Sequence, residues 1–205
     1  MDTTASDDNL DFLNKSPEPT KQSLSSHLVE FIQTLVIFAA IASAIYLFLA
    51  QPHKVSGKSM FPNFDNGDYI ITDKITYRVS EPKRGDVIVF KNPRDESQDF
   101  IKRILGLPGD TVEIKSGHIY LNGKLLDEPF IDSSVITNPG FFLQEDETMV
   151  VPEGSYFVVG DNRQNSSDSR EWGFLPKNEI IGRVILRYWP QDAIGIFPAK
   201  YEIKE

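Results

Sequence analysis

The chain is organised around the stretch Ser56-Gly57-Lys58-Ser59-Met60-Phe61-Pro62, which begins a few residues after a long apolar run ends. Gly57 allows the backbone to bend sharply before Ser59, and Pro62 stiffens it afterwards. The Ser59 side chain is therefore presented rather than packed, as a nucleophile must be. A polar turn at the start of a folded domain would show the same pattern, so the other motifs have to decide between these two interpretations.

The apolar run before this stretch covers residues 31–50 and contains no Asp, Glu, Lys or Arg. A helix of about 20 residues spans the ~30 Å hydrocarbon core of a bilayer, so these residues are predicted to form a transmembrane anchor. Residues 1–30 carry six acidic and two basic residues among Ser, Thr and Pro, which predicts a disordered acidic tail. A cleavable secretory signal is the alternative, but its apolar part is shorter and follows a basic region. Two lysines lie near each end of the run, so charge leaves the orientation open.

Length, charge and cysteine content limit the classes of protein to which the chain can belong. The 205 residues suffice for one main domain with an appendage, and the net charge of -9 argues against a nucleic-acid partner, whose phosphates attract basic surfaces. The chain has no cysteine, so a disulfide, a thiolate zinc site and a cysteine nucleophile are all excluded.

After the apolar run, short stretches of β-branched and aromatic residues alternate with Gly, Pro, Asn and Asp. This pattern predicts a mainly β domain. Asn122-Gly123 between two apolar stretches is typical of a two-residue hairpin, and the turn-rich residues 116–150 are predicted to form a small β-hairpin insertion. The β core then comprises residues 51–115 and 151–205. The clearest predicted strands are residues 69–75, 86–91, 100–105, 111–115, 155–159 and 183–189.

A second informative stretch is Phe100-Ile101-Lys102-Arg103-Ile104-Leu105-Gly106-Leu107-Pro108-Gly109-Asp110. Side chains alternate along an extended strand, so Phe100, Lys102 and Ile104 are predicted to share one face. Burial between apolar neighbours disfavours the charged ammonium and lowers the pKa of a lysine, which makes it a usable general base near neutral pH. A lysine whose stem packs on these neighbours while its head reaches water is the alternative.

A third stretch is Gly160-Asp161-Asn162-Arg163-Gln164-Asn165-Ser166-Ser167-Asp168-Ser169-Arg170-Glu171-Trp172-Gly173. Asp168 with Arg170, or Asp161 with Arg163, would form an ion pair that holds a loop rigid, and Ser166 would orient a neighbouring amine. A flexible polar surface loop is the alternative. A calcium loop is disfavoured, because Arg163 stands where an oxygen ligand belongs and Ser166 where glycine is expected.

The means of activating Ser59 is narrowed by elimination. His27 precedes the apolar run, His53 lies at the membrane border and His118 lies in the predicted insertion, so a Ser-His-Asp triad has no well-placed base. A Gly-x-Ser-x-Gly elbow is absent, and the Ser-x-x-Lys sequence Ser80-Glu81-Pro82-Lys83 contains a proline that fits poorly in a helix. A serine activated by a lysine distant in sequence remains.

Together these motifs resemble those of type I signal peptidases, membrane-anchored Ser-Lys endopeptidases that remove signal peptides from exported preproteins. Each motif is weak alone, but four in the right order behind an apolar anchor are highly specific, and the resemblance covers residues 31 to about 190. It implies a mainly β fold in which an N-terminal transmembrane helix precedes a mostly β catalytic core with a small β insertion. The matching motifs are Ser59-Met60-x-Pro62, Arg84-Gly85-Asp86-Val87, Lys102-Arg103-x-x-Gly106-x-Pro108-Gly109-Asp110, and Gly160-Asp161-Asn162 through Ser166-x-Asp168-Ser169-Arg170.

The resemblance also implies a role for each matching residue. Ser59 is the nucleophile, Lys102 is the general base, and neither a metal nor a cofactor is required. Ser166 positions the lysine amine, and the residues that brace the site are Asp161, Arg163, Asp168 and Arg170.

Two positions depart from the family pattern. Some members carry a serine that helps to bind the oxyanion where this chain has Gly57, so the Ser59 backbone N–H is the expected donor and Ser56 is a candidate for the second. Members usually carry Thr-Leu where this chain has Asn63-Phe64, a change expected to lie close to the substrate groove.

Substrate and location follow from the same resemblance. The expected substrates are exported preproteins with small residues at positions -1 and -3, cleaved through an acyl-enzyme. A single-pass anchor would place the protein in the cell membrane, in contact with lipid, with the tail in the cytoplasm and the catalytic domain on the outer face. Two other hypotheses remain. A self-cleaving Ser-Lys repressor is opposed by the acidic charge, the anchor and the lack of a DNA-binding segment, and a membrane-tethered binding module would use Ser59 and Lys102 only structurally.

Overall fold

The computed structural model describes residues 24–197, which fall into two compact units with a boundary between Ser43 and Ala44. Helix α1, Leu24–Phe48, begins seven residues before the predicted anchor, because no glycine or proline interrupts residues 24–48. Residues 24–30 of the predicted tail are therefore helical, and the rest of that tail lies outside the described residues. Within α1, the segment His27–Tyr46 is long and apolar enough to cross a membrane.

The second unit is mainly β, as predicted. Its strands are β1 (Ala50–Lys54), β2 (Tyr69–Asp73), β3 (Val87–Lys91), β4 (Asp99–Gly106), β5 (Thr111–Lys115), β6 (His118–Leu121), β7 (Lys124–Leu125), β8 (Thr148–Val150), β9 (Ser155–Val159), β10 (Leu175–Pro176), β11 (Ile180–Trp189) and β12 (Gly195–Ile196). Its helices are α2 (Thr76–Val79), α3 (Ser169–Trp172) and two single 3-10 turns at Lys177–Glu179 and Gln191–Ala193.

The strands form two antiparallel sheets. The larger one has the order β1-β2-β11-β3-β4-β9-β10, with β12 paired to β11, and the smaller one has the order β7-β6-β5-β8. Thr111–Lys115 was predicted to belong to the core, but it pairs with β6 and β8 in the smaller sheet. The insertion is thus a four-stranded sheet that begins at Thr111 rather than at residue 116, because β5 forms a hairpin with β6 across the turn at Ser116 and Gly117.

Strand β4 positions the site, and its side chains alternate as predicted. Ile104 and Phe100 pack in one apolar cluster with Ile88, the residue opposite Lys102, whereas Ile101 packs in a different cluster with Val89. Lys102 therefore lies on the face of β4 that carries Phe100 and Ile104, between large apolar groups.

One edge of β4 is only half used. Strand β3 pairs with residues 99–103 of β4, whereas the pairing with β9 on the other side begins at Arg103. Among the described residues, residues 99–102 therefore have a strand neighbour on one side only. Strand β1 likewise pairs with β2 alone. The free edges of β1 and of the first half of β4 are therefore available to an extended peptide.

Candidate active site

The two free strand edges border a cleft of about 460 Å³ that contains both Ser59 and Lys102. Its lining consists of residues 53–59 and 99–102 together with Ile70, Val89, Asn165 and Ser167. Within residues 24–197, no three His, Asp or Glu side chains are grouped so that they could hold a metal ion.

Lys102 and Ser59 meet at the floor of this cleft. Lys102 Nζ lies 2.8 Å from Ser59 Oγ and donates a second hydrogen bond of 2.9 Å to the carbonyl oxygen of Ile101. The lysine is 3% exposed, and its Nζ lies 5.0 Å from the centre of the Phe100 ring. Burial lowers the pKa of Lys102 to about 8, although the carboxylates of Asp168 and Asp161 oppose the shift. A large fraction of this amine is neutral near pH 8 and can accept the serine proton.

The loop that carries Ser59 is fixed by backbone hydrogen bonds. The carbonyl oxygen of Ser59 accepts a 3.0 Å bond from the backbone N–H of Asn162, whose side chain donates to the carbonyl of Lys58 at 3.1 Å. Gly57 has a φ of 93°, a left-handed conformation that favours glycine, so the sharp bend predicted before the serine is present. The backbone N–H of Ser59 has no hydrogen-bond partner among residues 24–197. Ser56 lines the same cleft and is exposed.

Asp161 is buried, but its partner is not the one predicted. Its carboxylate binds the guanidinium of Arg103 in a bidentate manner, at 2.8 Å from Nε and 2.7 Å from Nη2, and so the predicted pair with Arg163 is wrong. The guanidinium also stacks on Phe130, 4.1 Å from the ring centre. Asn63 donates a third hydrogen bond to Asp161 at 2.8 Å. Arg103 reaches this carboxylate because it lies on the face of β4 opposite to Lys102.

Arg163 binds the insertion instead. Its guanidinium pairs with Glu128, donates to Thr137 Oγ1 at 2.6 Å and donates to the carbonyl oxygen of Gly160 at 3.0 Å. These contacts connect the loop after β9 to the segment between β7 and β8 of the smaller sheet. The loop is therefore rigidly held, and the flexible-loop alternative does not describe it.

The ion pair between Asp168 and Arg170 was predicted and is present. Asp168 accepts hydrogen bonds from Arg170 Nε at 2.8 Å and Nη2 at 2.9 Å, and it is fully buried. Its carboxylate also accepts the backbone N–H of Gly160 at 3.0 Å and caps the N-terminus of α3. A single carboxylate thus joins the end of β9 to the start of α3.

The hydroxyl oxygen of Ser166 is buried, although the residue is only partly so, and the predicted contact with the lysine amine is absent. Its Oγ has no hydrogen-bond partner within the described residues. It packs against Gly160, where an added Cβ would clash with both Ser166 Oγ and the carbonyl oxygen of Ser59. Glycine is therefore required at position 160 by this close approach.

No bracing role was predicted from the sequence for Arg103 or Glu128, and the hydrogen bond from Asn63 to Asp161 was not anticipated. Alternation along β4 places Arg103 on the same face as Ile101 and Leu105, which indicates burial. A buried arginine requires an acidic partner, so a carboxylate near Arg103 could have been predicted. Asn63 and Phe64 were expected near the substrate groove, yet neither lines the cleft at Ser59. Phe64 is fully buried and stacks on Phe197 with ring centres 4.6 Å apart. The departure from Thr-Leu therefore changes the support of the loop rather than the cleft wall.

Comparison with known proteins gives a consistent result. The sequence model of the family described as signal peptidase, peptidase S26, matches residues 28–189. The chain is 39% identical over 174 residues to a probable signal peptidase I-2 of Synechocystis sp., an alignment that covers 82% of this chain and 76% of that protein. It is 36% identical over 187 residues to a signal peptidase I of Leptolyngbya laminosa, covering 87% of this chain and 88% of that protein.

A solved structure is also similar, the signal peptidase I of Enterococcus faecalis V583, with 35% sequence identity and a TM-score of 0.43. That alignment covers 51% of this chain and 97% of the solved one. The family model spans more than half of the chain, and both sequence relatives exceed 30% identity over most of it. The chain therefore belongs to the signal peptidase family, peptidase S26.

Proposed function

We propose that this protein is a membrane-anchored type I signal peptidase that cleaves exported preproteins with a Ser59–Lys102 dyad. The single observation that carries the proposal is the 2.8 Å contact between Ser59 Oγ and the buried Lys102 Nζ at the floor of an open cleft. A buried amine with its pKa lowered to about 8 beside a hydroxyl is the arrangement that a lysine general base needs.

The mechanism follows from the order in which protons move. Neutral Lys102 takes the hydroxyl proton of Ser59 as Oγ attacks the scissile carbonyl carbon, and the negative oxygen that develops accepts the free backbone N–H of Ser59. The ammonium then gives this proton to the leaving amine as the peptide bond breaks, which leaves an acyl-enzyme and a neutral lysine. In the second half, Lys102 deprotonates a water that attacks the ester, and the same proton returns to Ser59 Oγ.

The cleft suits an extended peptide on the signal-peptide side of the bond. Residues 99–102 of β4 present an unpaired strand edge, so a substrate strand can add to it. The lining beside Lys102 includes the apolar residues Val55, Val89 and Ile101, against which a small -1 side chain would pack, and a small -3 side chain would lie further along the same edge. The ion pairs of Asp161 and Asp168 brace the loops around Ser59 and Lys102 without contacting the peptide.

We further propose that α1 anchors the enzyme in the cell membrane, in contact with lipid. The helix contains the one segment among residues 24–197 that is long and apolar enough to cross a bilayer. The tail would be cytoplasmic and the catalytic domain on the outer face, by resemblance to the family.

The test is cleavage of a preprotein with an Ala-x-Ala site by the full chain in detergent. We expect the wild type to release a product whose new N-terminus follows the second alanine, and Ser59→Ala to release none. Ser97→Ala, which alters an exposed serine in the loop before β4, serves as the matched control and should cleave normally. Equal cleavage by a folded Ser59→Ala protein would overturn the proposal, and binding without cleavage by the wild type would indicate a binding module instead.

A further inference from the structure

The wall of the cleft changes from apolar to polar along its length. Near Lys102 it consists of Val55, Val89 and Ile101, which pack in one apolar cluster with Ile70. At positions 53, 91 and 99, each two residues away from one of these three along the same segment, the side chains that share this face are polar or charged. These residues are His53 and Asp99, which line the cleft, and Lys91, which lies beside Asp99.

Lys91 and His53 both approach the carboxylate of Asp99. Lys91 Nζ lies 2.8 Å from Asp99 Oδ1, and His53 Nδ1 lies 3.9 Å from Asp99 Oδ2. The second distance is too long for a direct hydrogen bond. No hydrogen bond to Asp99 Oδ2 is formed within the described residues. The side chains of His53 and Asp99 both line the cleft. The pair thus offers an open donor and an open acceptor to a bound group.

Spacing along the strand relates this pair to a particular substrate residue. Residues 99 and 101 of β4 are separated by about 6.7 Å, which is also the separation of positions -1 and -3 in an extended peptide. Residues two apart point to the same face of a strand. Because β9 occupies the edge of β4 from Arg103 onward, a substrate strand must extend toward residue 99, so one whose -1 side chain faces Ile101 directs its -3 side chain to His53 and Asp99.

We propose that His53 and Asp99 form the wall of the -3 subsite and select serine or threonine there over an apolar residue of the same size. The inference rests on the proposed function and makes its substrate class narrower. The hydroxyl donates to Asp99 Oδ2 and accepts the N–H of His53 Nδ1, with both bonds near the usual length of about 2.8 to 3.0 Å. A wholly apolar pocket would instead favour valine over threonine.

The ionisation of the imidazole agrees with this arrangement. Burial lowers the pKa of His53, and of the charges that face it, Asp99 raises the pKa whereas Lys74 and Lys91 lower it. The neutral ring carries one N–H. Because Nε2 is buried without a partner among residues 24–197, the ring gains more by holding its proton on Nδ1, toward the carboxylate.

The experiment compares two preproteins that differ only in threonine or valine at -3, with alanine at -1 in both. For the full-chain wild type in detergent we expect kcat/KM to be about three- to tenfold higher for threonine, the gain of one or two net hydrogen bonds. In His53→Phe, which keeps an aromatic ring without its nitrogens, the ratio should fall to one or below. Asp99→Leu should act in the same direction, whereas Glu96→Gln, an exposed change in the neighbouring loop, should keep the wild-type ratio.

The outcomes separate this inference from the proposed function. Cleavage of both preproteins by the wild type at equal rates would overturn the -3 preference while leaving the peptidase activity intact. A preference for threonine that persists in folded His53→Phe would also overturn it. If the wild type cleaves neither preprotein, the proposed function fails, and the inference fails with it.

Discussion

Lys102 and Arg103 are consecutive residues of β4, yet the protein accommodates their buried cationic groups in opposite ways. Both are almost fully buried, with 3% and 5% of their surface exposed. Lys102 makes no ion pair within the described residues, and burial lowers its pKa to about 8. Arg103 is held in two hydrogen bonds to Asp161 and stacks on Phe130.

The difference shows how neighbouring positions acquire different chemistry. Arginine cannot deprotonate in a protein, so a buried arginine must be paired and then becomes a rigid connection. Lysine can lose its proton, so a buried lysine without a close carboxylate is able to act as a base. The same contrast extends to Asp168 with Arg170, which are paired and structural. Four predictions test whether Lys102 serves catalysis while the paired residues serve stability.

Lys102→Arg should have the largest effect. It keeps the positive charge but removes the ability to accept a proton, so cleavage should fall by about 10³-fold or more, as expected for loss of a general base together with the nucleophile it activates. The measurement is kcat/KM on an Ala-x-Ala preprotein, with a melting curve to establish folding. Substantial turnover by the folded variant would show that Lys102 is not the base.

Asp168→Ala should destabilise the protein strongly. It leaves the buried guanidinium of Arg170 without its partner, and breaking a buried pair in this way costs about 3 to 5 kcal/mol. The free energy of unfolding in urea measures the loss. The exposed Asp132→Ala is the control and should change stability by less than about 1 kcal/mol. Equal stability of the two variants would contradict a bracing role for Asp168.

Lys102→Met should stabilise the protein at pH 7 while it abolishes cleavage. The shift of the Lys102 pKa from 10.5 to about 8 corresponds to an unfavourable term of about 3 kcal/mol in the charged form. Because the folded pKa is the lower one, this penalty is complete below pH 8, decreases between pH 8 and 10.5, and is absent above. The free energy of unfolding should therefore be higher for the variant than for the wild type at pH 7, and this gain should be absent at pH 10.5. A Met variant less stable than the wild type at pH 7 would show that burial of the charged amine is not unfavourable.

Cleavage by the wild type should rise with pH through an apparent pKa near 8. Only the neutral lysine is a base, so kcat/KM should increase about tenfold per pH unit below pH 8 and level off above it. Initial rates between pH 6 and 9.5 measure this, with circular dichroism at each pH to establish that the fold persists. A flat profile, or one that falls over this range, would contradict a lysine base with a lowered pKa.

Much of this could be predicted from the sequence, because the signals are local. The apolar run, the strands after it and the turn at Ser59 follow from hydrophobic pattern and from Gly57 and Pro62. Strand alternation predicted that Lys102 shares a face with Phe100 and Ile104, and the resemblance to signal peptidases supplied its expected role as the base. Asp168 and Arg170 are only two residues apart in the sequence, so they could be matched without knowledge of the fold.

Only the tertiary structure decided which distant residues meet. Arg103 and Asp161 are 58 residues apart, and Arg163 and Glu128 are 35 apart, so their pairing depends on the order of strands in the sheets. The same holds for the 2.8 Å contact of Ser59 with Lys102, across 43 residues, and for the meeting of His53 with Asp99. A sequence pattern fixes which face of a strand a side chain occupies, but the neighbour on that face is set by sheet topology, which depends on long-range pairing.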